Sequence, residues 1–384
     1  MFDNYFSNKK PKKPIRVMRY RKCFSIRMAK ETQALKTMFG YESTIAYDNC
    51  FSAHRDLVKG CFKHVCDLKR TSSRGEKIRI LKKYVRAVKP DIIIAHQEPN
   101  SAYTLMREVV GDSLPIVFSV HDMSSYRRPH LSCESGDVKA EKAGFETAQG
   151  IIVIAEEVMK FANMKYNIKA PWMALHGYVP QDWIPKDPLP KRKNGIHFVY
   201  EGGMVNSNDS PTYQYRYYLP LFKELMAQGI HVHAYGGNRY KAAYGDYLEE
   251  RKNNKLFHFH YQVPYLKLLK EMTQFHYGLV GFNFRDTNPG SYDFLNNTTP
   301  NKYWEYIAAG VIPVIINFKG CIRLANRYGI GIKCKNLNRV KLDIKKYKGE
   351  KDLANNKYSK SIVMENYIWK LDRFFRKIIK EFHN

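Results

Sequence analysis

The chain lacks any long apolar run. Segments such as Ile92–Ala95 and Val311–Ile316 are strand-length, far short of the roughly 18 apolar residues of a membrane span. The segment Met1–Pro14 is polar and basic (Lys9, Lys10, Lys12, Lys13) and has no apolar core of the kind a signal peptide carries. Cysteine is sparse and unpatterned. The seven residues Cys23, Cys50, Cys61, Cys66, Cys133, Cys321 and Cys334 form no C-x-x-C pair, and nothing completes a zinc site beside Cys61 and Cys66. A reducing compartment and structural or incidental thiols follow. There is no D-x-D triplet to clamp a metal, so no metal or other cofactor is expected. Acidic residues are few, 36 against 64 Lys+Arg, for a formal net charge of +28. That balance excludes an acidic solvating protein and predicts a polyanionic partner: phosphates, nucleic acid or an anionic membrane face. A cytosolic protein is expected, with peripheral attachment to a membrane left open.

What is present suits a globular protein of two or three domains: 384 residues, 44% hydrophobic and 26% charged. In the first half, short apolar runs alternate with helical patterns. Strands are predicted at Ile15–Met18, Ser43–Tyr47, Asp91–Ala95, Pro115–Val120 and Ile151–Ile154. Helices are predicted at Phe24–Phe39 (stopped by Gly40), Glu76–Val88, 101–110, Glu134–Gln149 and Glu156–Tyr166. Uniformly apolar strands between helices indicate a parallel sheet covered on both faces. Pro171, Pro180, Pro185, Pro188 and Pro190, with Lys191-Arg192-Lys193, then read as a linker. The alternation restarts at Ile196–Tyr200 and runs to a strand at Val311–Ile316 and a long amphipathic helix at 361–382. The expected class is α/β, with two facing, doubly wound Rossmann-like domains and a crevice between them. The boundaries are 1–180, a linker 181–195, 196–360, and a C-terminal helix over 361–384.

Ligands of open parallel sheets bind beyond the carboxyl ends of the strands. There, residues 298–310 read as a complete short helix, with Thr299 as N-cap, Pro300 in the first helical position and Gly310 as the stop. Lys302 then lies in the first turn, where the helix dipole disfavours a cation. A phosphate between the lysine and the exposed amides would resolve the conflict. Glu305, one turn on, faces the same way and suits sugar hydroxyls; a plain Lys302–Glu305 pair on a solvated helix is the competing reading. Gly202-Gly203 and Gly236-Gly237 follow strands, where glycine lets backbone approach a ligand or simply ends a strand. Arg216 is positioned to reach a diphosphate, or is an ordinary surface arginine.

The run N-K-Y-W-E-Y-I-A-A-G-V-I-P-V-I (301–315) resembles the nucleotide-sugar site of GT-B glycosyltransferases. The Gly-Gly turns, Phe118-Ser119-Val120-His121-Asp122, the segment 141–157 and His176-Gly177-Tyr178 fall in the same order as in that family. The resemblance implies a UDP-, GDP- or ADP-sugar donor bound by the second domain, an acceptor bound by the first, and a last helix crossing back to the first. Glu305 would bind the ribose, Asn301 and Lys302 would lie at the diphosphate, Thr299 would belong to the donor site, and His121 would face the transferred sugar or the acceptor. Many retaining members carry a second glutamate eight residues earlier; position 297 is Asn here, so retention and inversion both stay open. Lys302 and Arg216 would neutralise the leaving group. Asp122, His121, Glu98 and His96 are the base candidates for an inverting reaction. The basic segments Lys9–Lys13, Arg16–Arg27 and Lys59–Lys89 suggest an anionic acceptor: a lipid-linked or polymer glycan at a membrane, or DNA, as for phage DNA-base glucosyltransferases that share this plan. A solvated lysine-rich surface, and a non-catalytic polyanion-binding protein on the same scaffold, remain alternatives.

Overall fold

A computed structural model describes residues 13–68, 73–97, 100–127, 135–209, 211–236, 244–284, 289–347 and 362–384. Two compact units emerge: unit 1 is Met1–Pro180 with Val363–Asn384, and unit 2 is Gln181–Ile362. Both are doubly wound α/β structures with wholly parallel sheets.

Unit 1 carries β1 (Arg16–Cys23), β2 (Glu42–Asn49), β3 (His64–Asp67), β4 (Ile92–His96), β5 (Ile116–Val120), β6 (Gly150–Val153) and β7 (Trp172–Ala174). Their spatial order is β3-β2-β1-β4-β5-β6-β7, so the winding reverses between β1 and β4. β4, β5 and β6 are buried along their whole length, as strands covered on both faces must be. Two strands escaped the sequence reading. β3 is an edge strand with exposed side chains, and β7 spans only three residues with an exposed Trp172; neither offers an apolar run. β1 continues past the expected Met18 to Cys23, because its inward positions include Arg19 and Arg21 where an apolar residue was sought. Helices Ile26–Phe39, Arg74–Val88 and Ser101–Val110 fall where periodicity puts them. Ser73 caps the second of these, its hydroxyl accepting from the Glu76 amide at 3.2 Å. The final helix, Glu365–His383, packs against Ile26–Phe39 by burying Ile368, Leu371, Phe375 and Ile378, and the Tyr41 hydroxyl donates to its Asp372 at 2.5 Å.

Unit 2 carries β8 (His197–Gly202), β9 (His231–Gly236), β10 (Phe257–His260), β11 (Tyr277–Val280), β12 (Ile312–Ile316) and β13 (Ile332–Cys334), in the order β10-β9-β8-β11-β12-β13. Helices Pro289–Asn297 and Lys319–Tyr328, and strand β13, were not anticipated. Part of the proline-rich segment read as a linker is bonded along unit 2: the Leu189 amide donates to Thr273 Oγ1 at 2.8 Å and Lys191 Nζ to the Gly310 carbonyl at 3.0 Å. Among the described residues no helix is long and apolar enough to cross a membrane.

Candidate active site

In unit 2 the switch point lies between β8 and β11, and the candidate residues of this half gather at the carboxyl end of β8. The helix Asn301–Ala308 begins at the expected place, but its cap differs. Pro300 holds the N-cap position, and Thr299 lies one residue outside it, with its hydroxyl buried and without a hydrogen-bond partner. Proline pre-sets the extended backbone that a helix entry needs, so the threonine hydroxyl is not used as a cap.

Lys302 is 8% exposed and folds back over the end of β8. Its ammonium stands 3.9 Å from the centroid of the Tyr200 ring and 5.4 Å from that of Tyr218, and it has no hydrogen bond or ion pair with any described residue. A desolvated cation on an aromatic face gains about 2 kcal/mol, which holds the charge in place without a counter-ion. Burial brings the Lys302 pKa down to about 8; Glu201 and Glu305 favour the charged form and Arg216 opposes it.

Gly202 and Gly203 are shaped around these cations. Gly202 has φ 130°, and a Cβ there would stand 3.4 Å from Lys302 Nζ; one on Gly203 would stand 3.3 Å from Arg216 Nη1. Side chains at either position would enter the space the two charges share. The turn is fixed by the Tyr200 hydroxyl, which donates to the Gly203 carbonyl at 3.1 Å, and by the Glu201 amide, which donates to the Tyr306 hydroxyl at 3.2 Å. The loop bearing Arg216 is pinned to this turn by the Val205 amide, which donates to the Arg216 carbonyl at 3.3 Å. Two cations, two glycines at a strand end and a helix N-terminus form an arrangement suited to a diphosphate.

Glu305 is 4% exposed and accepts a hydrogen bond from the Tyr265 hydroxyl at 2.9 Å. The simple Lys302–Glu305 ion pair, the competing sequence reading, is not formed. Asn301 opens the helix. Gly236 pairs in register with Gly202 on the neighbouring strand, but a Cβ on it would meet the Phe259 ring at 3.0 Å and the Tyr244 ring at 3.1 Å, so aromatic packing accounts for this glycine. Asn297 is held by Arg323, which donates to its Oδ1 at 2.9 Å and to its carbonyl at 3.1 Å.

In unit 1, His121 and Asp122 follow β5, and both their amides donate to Gln97 Oε1, at 3.1 and 2.9 Å. The Asp122 carboxylate is paired with Arg127 at 2.6 Å. His121 Nε2 is buried without a partner, and burial together with Arg27 and Arg21 pushes its pKa well below the usual value, keeping it neutral. His96 is fully buried and meets Arg19 at 3.1 Å. Glu98 and Gly237 lie outside the described residues.

Sequence reasoning missed Tyr200, Tyr265, Tyr306 and Gln97, which place the candidate side chains. A tyrosine inside an apolar run looks like core, and nothing local marks its hydroxyl as used.

No protein-family model matches the chain, and no curated protein matches it in sequence. Solved structures do. Anabaena Alr3699/HepE, in complex with UDP and glucose, has a TM-score of 0.67 at 11% identity, over 94% of this chain and 100% of that one. A glycosyltransferase from Rickettsia africae has a TM-score of 0.64 at 10% identity, over 96% and 100%. WaaG, a glycosyltransferase of lipopolysaccharide biosynthesis, has a TM-score of 0.62 at 10% identity, over 94% and 99%. The fold is that of the GT-B glycosyltransferases. In GT-B terms, the Lys302–Gly202 cluster belongs to the second Rossmann-like unit, and His121 to the first.

Proposed function

We propose that this chain transfers a sugar from a nucleoside-diphosphate sugar to a hydroxyl of an anionic, lipid-linked or polymeric acceptor. One observation carries the reading: Lys302 and Arg216 are held against the Gly202-Gly203 turn, with Lys302 on Tyr200 and unpaired among the described residues. Glu201 and Glu305 favour the charged form of Lys302 but neither pairs with it directly, and the diphosphate of a sugar donor supplies that direct partner. Asn301 and the helix amides are assigned as further donors to the diphosphate. Glu305, positioned by Tyr265, accepts from the ribose. As the sugar–phosphate bond breaks, negative charge grows on the diphosphate, and cations fixed in advance stabilise it without reorganising. His121 is the group of unit 1 assigned to the acceptor side; Asp122, tied to Arg127, holds that loop.

The HepE structure was solved with UDP and glucose, which supports UDP as the first nucleotide to try. A thermal-shift screen of nucleoside diphosphates and their sugars should raise the melting temperature with at least one of them, by mass action. Release of nucleoside diphosphate from the sugar donor should then fall in Glu305→Ala. Silence across the panel, or turnover indifferent to that substitution, refutes the reading. A non-catalytic polyanion-binding protein on this scaffold would release no nucleoside diphosphate at all.

A further inference from the structure

β1 runs through the middle of a sheet covered on both faces, yet it carries arginines at inward positions. Arg19 is 0% exposed, as are Lys30 and Glu31 on the neighbouring helix, and Arg27 there is 1% exposed. Arg19 and Arg27 thus share one carboxylate, Glu31, and Arg21 on the same strand is 6% exposed. Glu31 accepts from Arg19 Nη1 at 2.7 Å and from Arg27 Nε at 2.8 Å. Arg27 Nη2 donates to the Leu175 carbonyl at 2.7 Å and Lys30 Nζ to the Gly177 carbonyl at 3.1 Å. These bonds tie the helix Ile26–Phe39 to the chain that follows β7, and they explain why part of the cluster is polar.

They do not account for the rest. Arg19 Nε and Nη2, Arg27 Nη1, His96 Nδ1 and His121 Nε2 are buried and have no hydrogen-bond partner. A buried polar atom left without a partner is destabilising, most of all when it belongs to a charged guanidinium. The cluster faces the carboxyl edge of the sheet. His96 pairs in register with Ser119 of β5, and His121 lies two residues beyond Ser119 on the same face. The helix Ile26–Phe39 starts here with no acid in its first turn and no side-chain cap, while Arg27 occupies that turn. His121 is only partly buried, with its Nε2 turned away from solvent.

We propose that unit 1 holds a second oxyanion site, built from Arg19, Arg27 and His121, that binds a phosphate or carboxylate carried by the acceptor. An oxyanion supplies the missing charge and several acceptors at once, and paired guanidinium forks favour a group with two or three oxygens. Assigning the anion to the acceptor rests on the transferase reading above; the oxyanion site itself does not.

The test uses the full chain saturated with UDP, so that any diphosphate site is filled. Inorganic phosphate and, in a parallel arm, acetate are titrated against chloride at matched ionic strength, with melting temperature and isothermal titration as readouts. Phosphate, acetate or both should stabilise the wild type specifically, and the stronger of the two names the acceptor's group. Lys302→Met should keep this response, whereas Arg27→Met and His121→Leu should bind the anion at least tenfold more weakly. If Arg27→Met does not fold, His121→Leu at the partly exposed edge decides. The proposal is overturned if neither anion acts beyond chloride, or if the response disappears in Lys302→Met and survives in His121→Leu. UDP binding is read in the same titrations: a wild type that ignores UDP but answers to phosphate keeps this site and refutes the donor assignment.

Discussion

The ammonium of Lys302 lies 3.9 Å from the centre of the Tyr200 ring, and the Tyr200 hydroxyl donates to the Gly203 carbonyl at 3.1 Å. One tyrosine therefore supports the cation with its face and the glycine turn with its edge. Lys302 is half charged near pH 8, lowered there chiefly by burial. A diphosphate binds the charged form, so affinity should be constant below about pH 8 and weaken by up to tenfold per pH unit above it. Isothermal titration of UDP from pH 6.5 to 9.5 checks this. Lys302→Met should bind about 100-fold more weakly and lose the bend, as expected for a lost charge-assisted contact. A flat wild-type profile removes Lys302 from the phosphate.

Glu305 yields a prediction about the pentose. If its carboxylate, oriented by Tyr265, accepts from ribose hydroxyls, the wild type should prefer UDP to its 2′-deoxy and 3′-deoxy analogues. Glu305→Ala should erase the preference that Glu305 creates, with a loss of about 1.5–3 kcal/mol for a hydrogen bond to a charged group. Tyr265→Phe should fall between the two. Should Glu305→Ala discriminate among the analogues as the wild type does, the ribose is held elsewhere.

Much of this layout is legible in the sequence, for identifiable reasons. β4, β5, β6 and β12 are unbroken apolar runs of strand length, and the helix at 301–308 announces itself through Pro300 and the apolar face behind Lys302. Edge strands β3 and β7 are not legible, because they bury too little to need a pattern. Local patterning also misassigns charge. The segment Arg16–Arg27 looks like basic surface, but Arg19, Arg21 and Arg27 are buried against Glu31, His96 and backbone carbonyls. Their partners lie up to 148 residues away, beyond the reach of any spacing argument. The signal that was available is arginine at alternate positions, Arg19 and Arg21, interleaved with Met18 and Tyr20.

Gly320 is another residue that only three dimensions explain. A Cβ on it would overlap the Thr298 carbonyl oxygen and stand 2.8 Å from that of Asn297. The Lys319 amide meanwhile donates to Asn296 Oδ1 at 2.8 Å. The helix Lys319–Tyr328 is thus seated directly on the chain that leads into Asn301. Backbone cannot yield as a flexible side chain can, so Gly320→Ala should cost roughly 1–3 kcal/mol and weaken UDP binding by displacing Lys302. Gly136→Ala, with open space around its Cβ, should change stability by no more than about 0.5 kcal/mol. Calorimetry and UDP titration of both variants check this; equal behaviour contradicts the packing argument.

Across β8, β9 and β10, His197 Nδ1 lies 3.0 Å from His233 Nε2, and His233 Nδ1 lies 3.1 Å from His260 Nε2. A second pair, His231 and His258, meets at 3.1 Å beside them. Each contact needs one N–H and one lone pair, and any added proton places a charge among buried, stacked rings. Burial first, then the neighbouring histidines and Arg192, lower the pKa values of His197, His233, His258 and His260, to about 4 for His197 and His260. His233, in the middle, is lower still. An unfolded histidine titrates near 6.5, so between 6.5 and 4 the unfolded chain takes up protons that the folded ladder refuses. Stability is therefore full above about pH 6.5 and is lost as pH falls through that window. For one group shifted from 6.5 to about 4, the loss at pH 5 is about 2 kcal/mol. Calorimetry at pH 7 and pH 5 should show unit 2 melting several degrees lower at pH 5. His260→Phe, which removes one titrating member and keeps the ring stack, should shrink the difference; a melting temperature equal at both pH values would mean that the ladder tolerates protons.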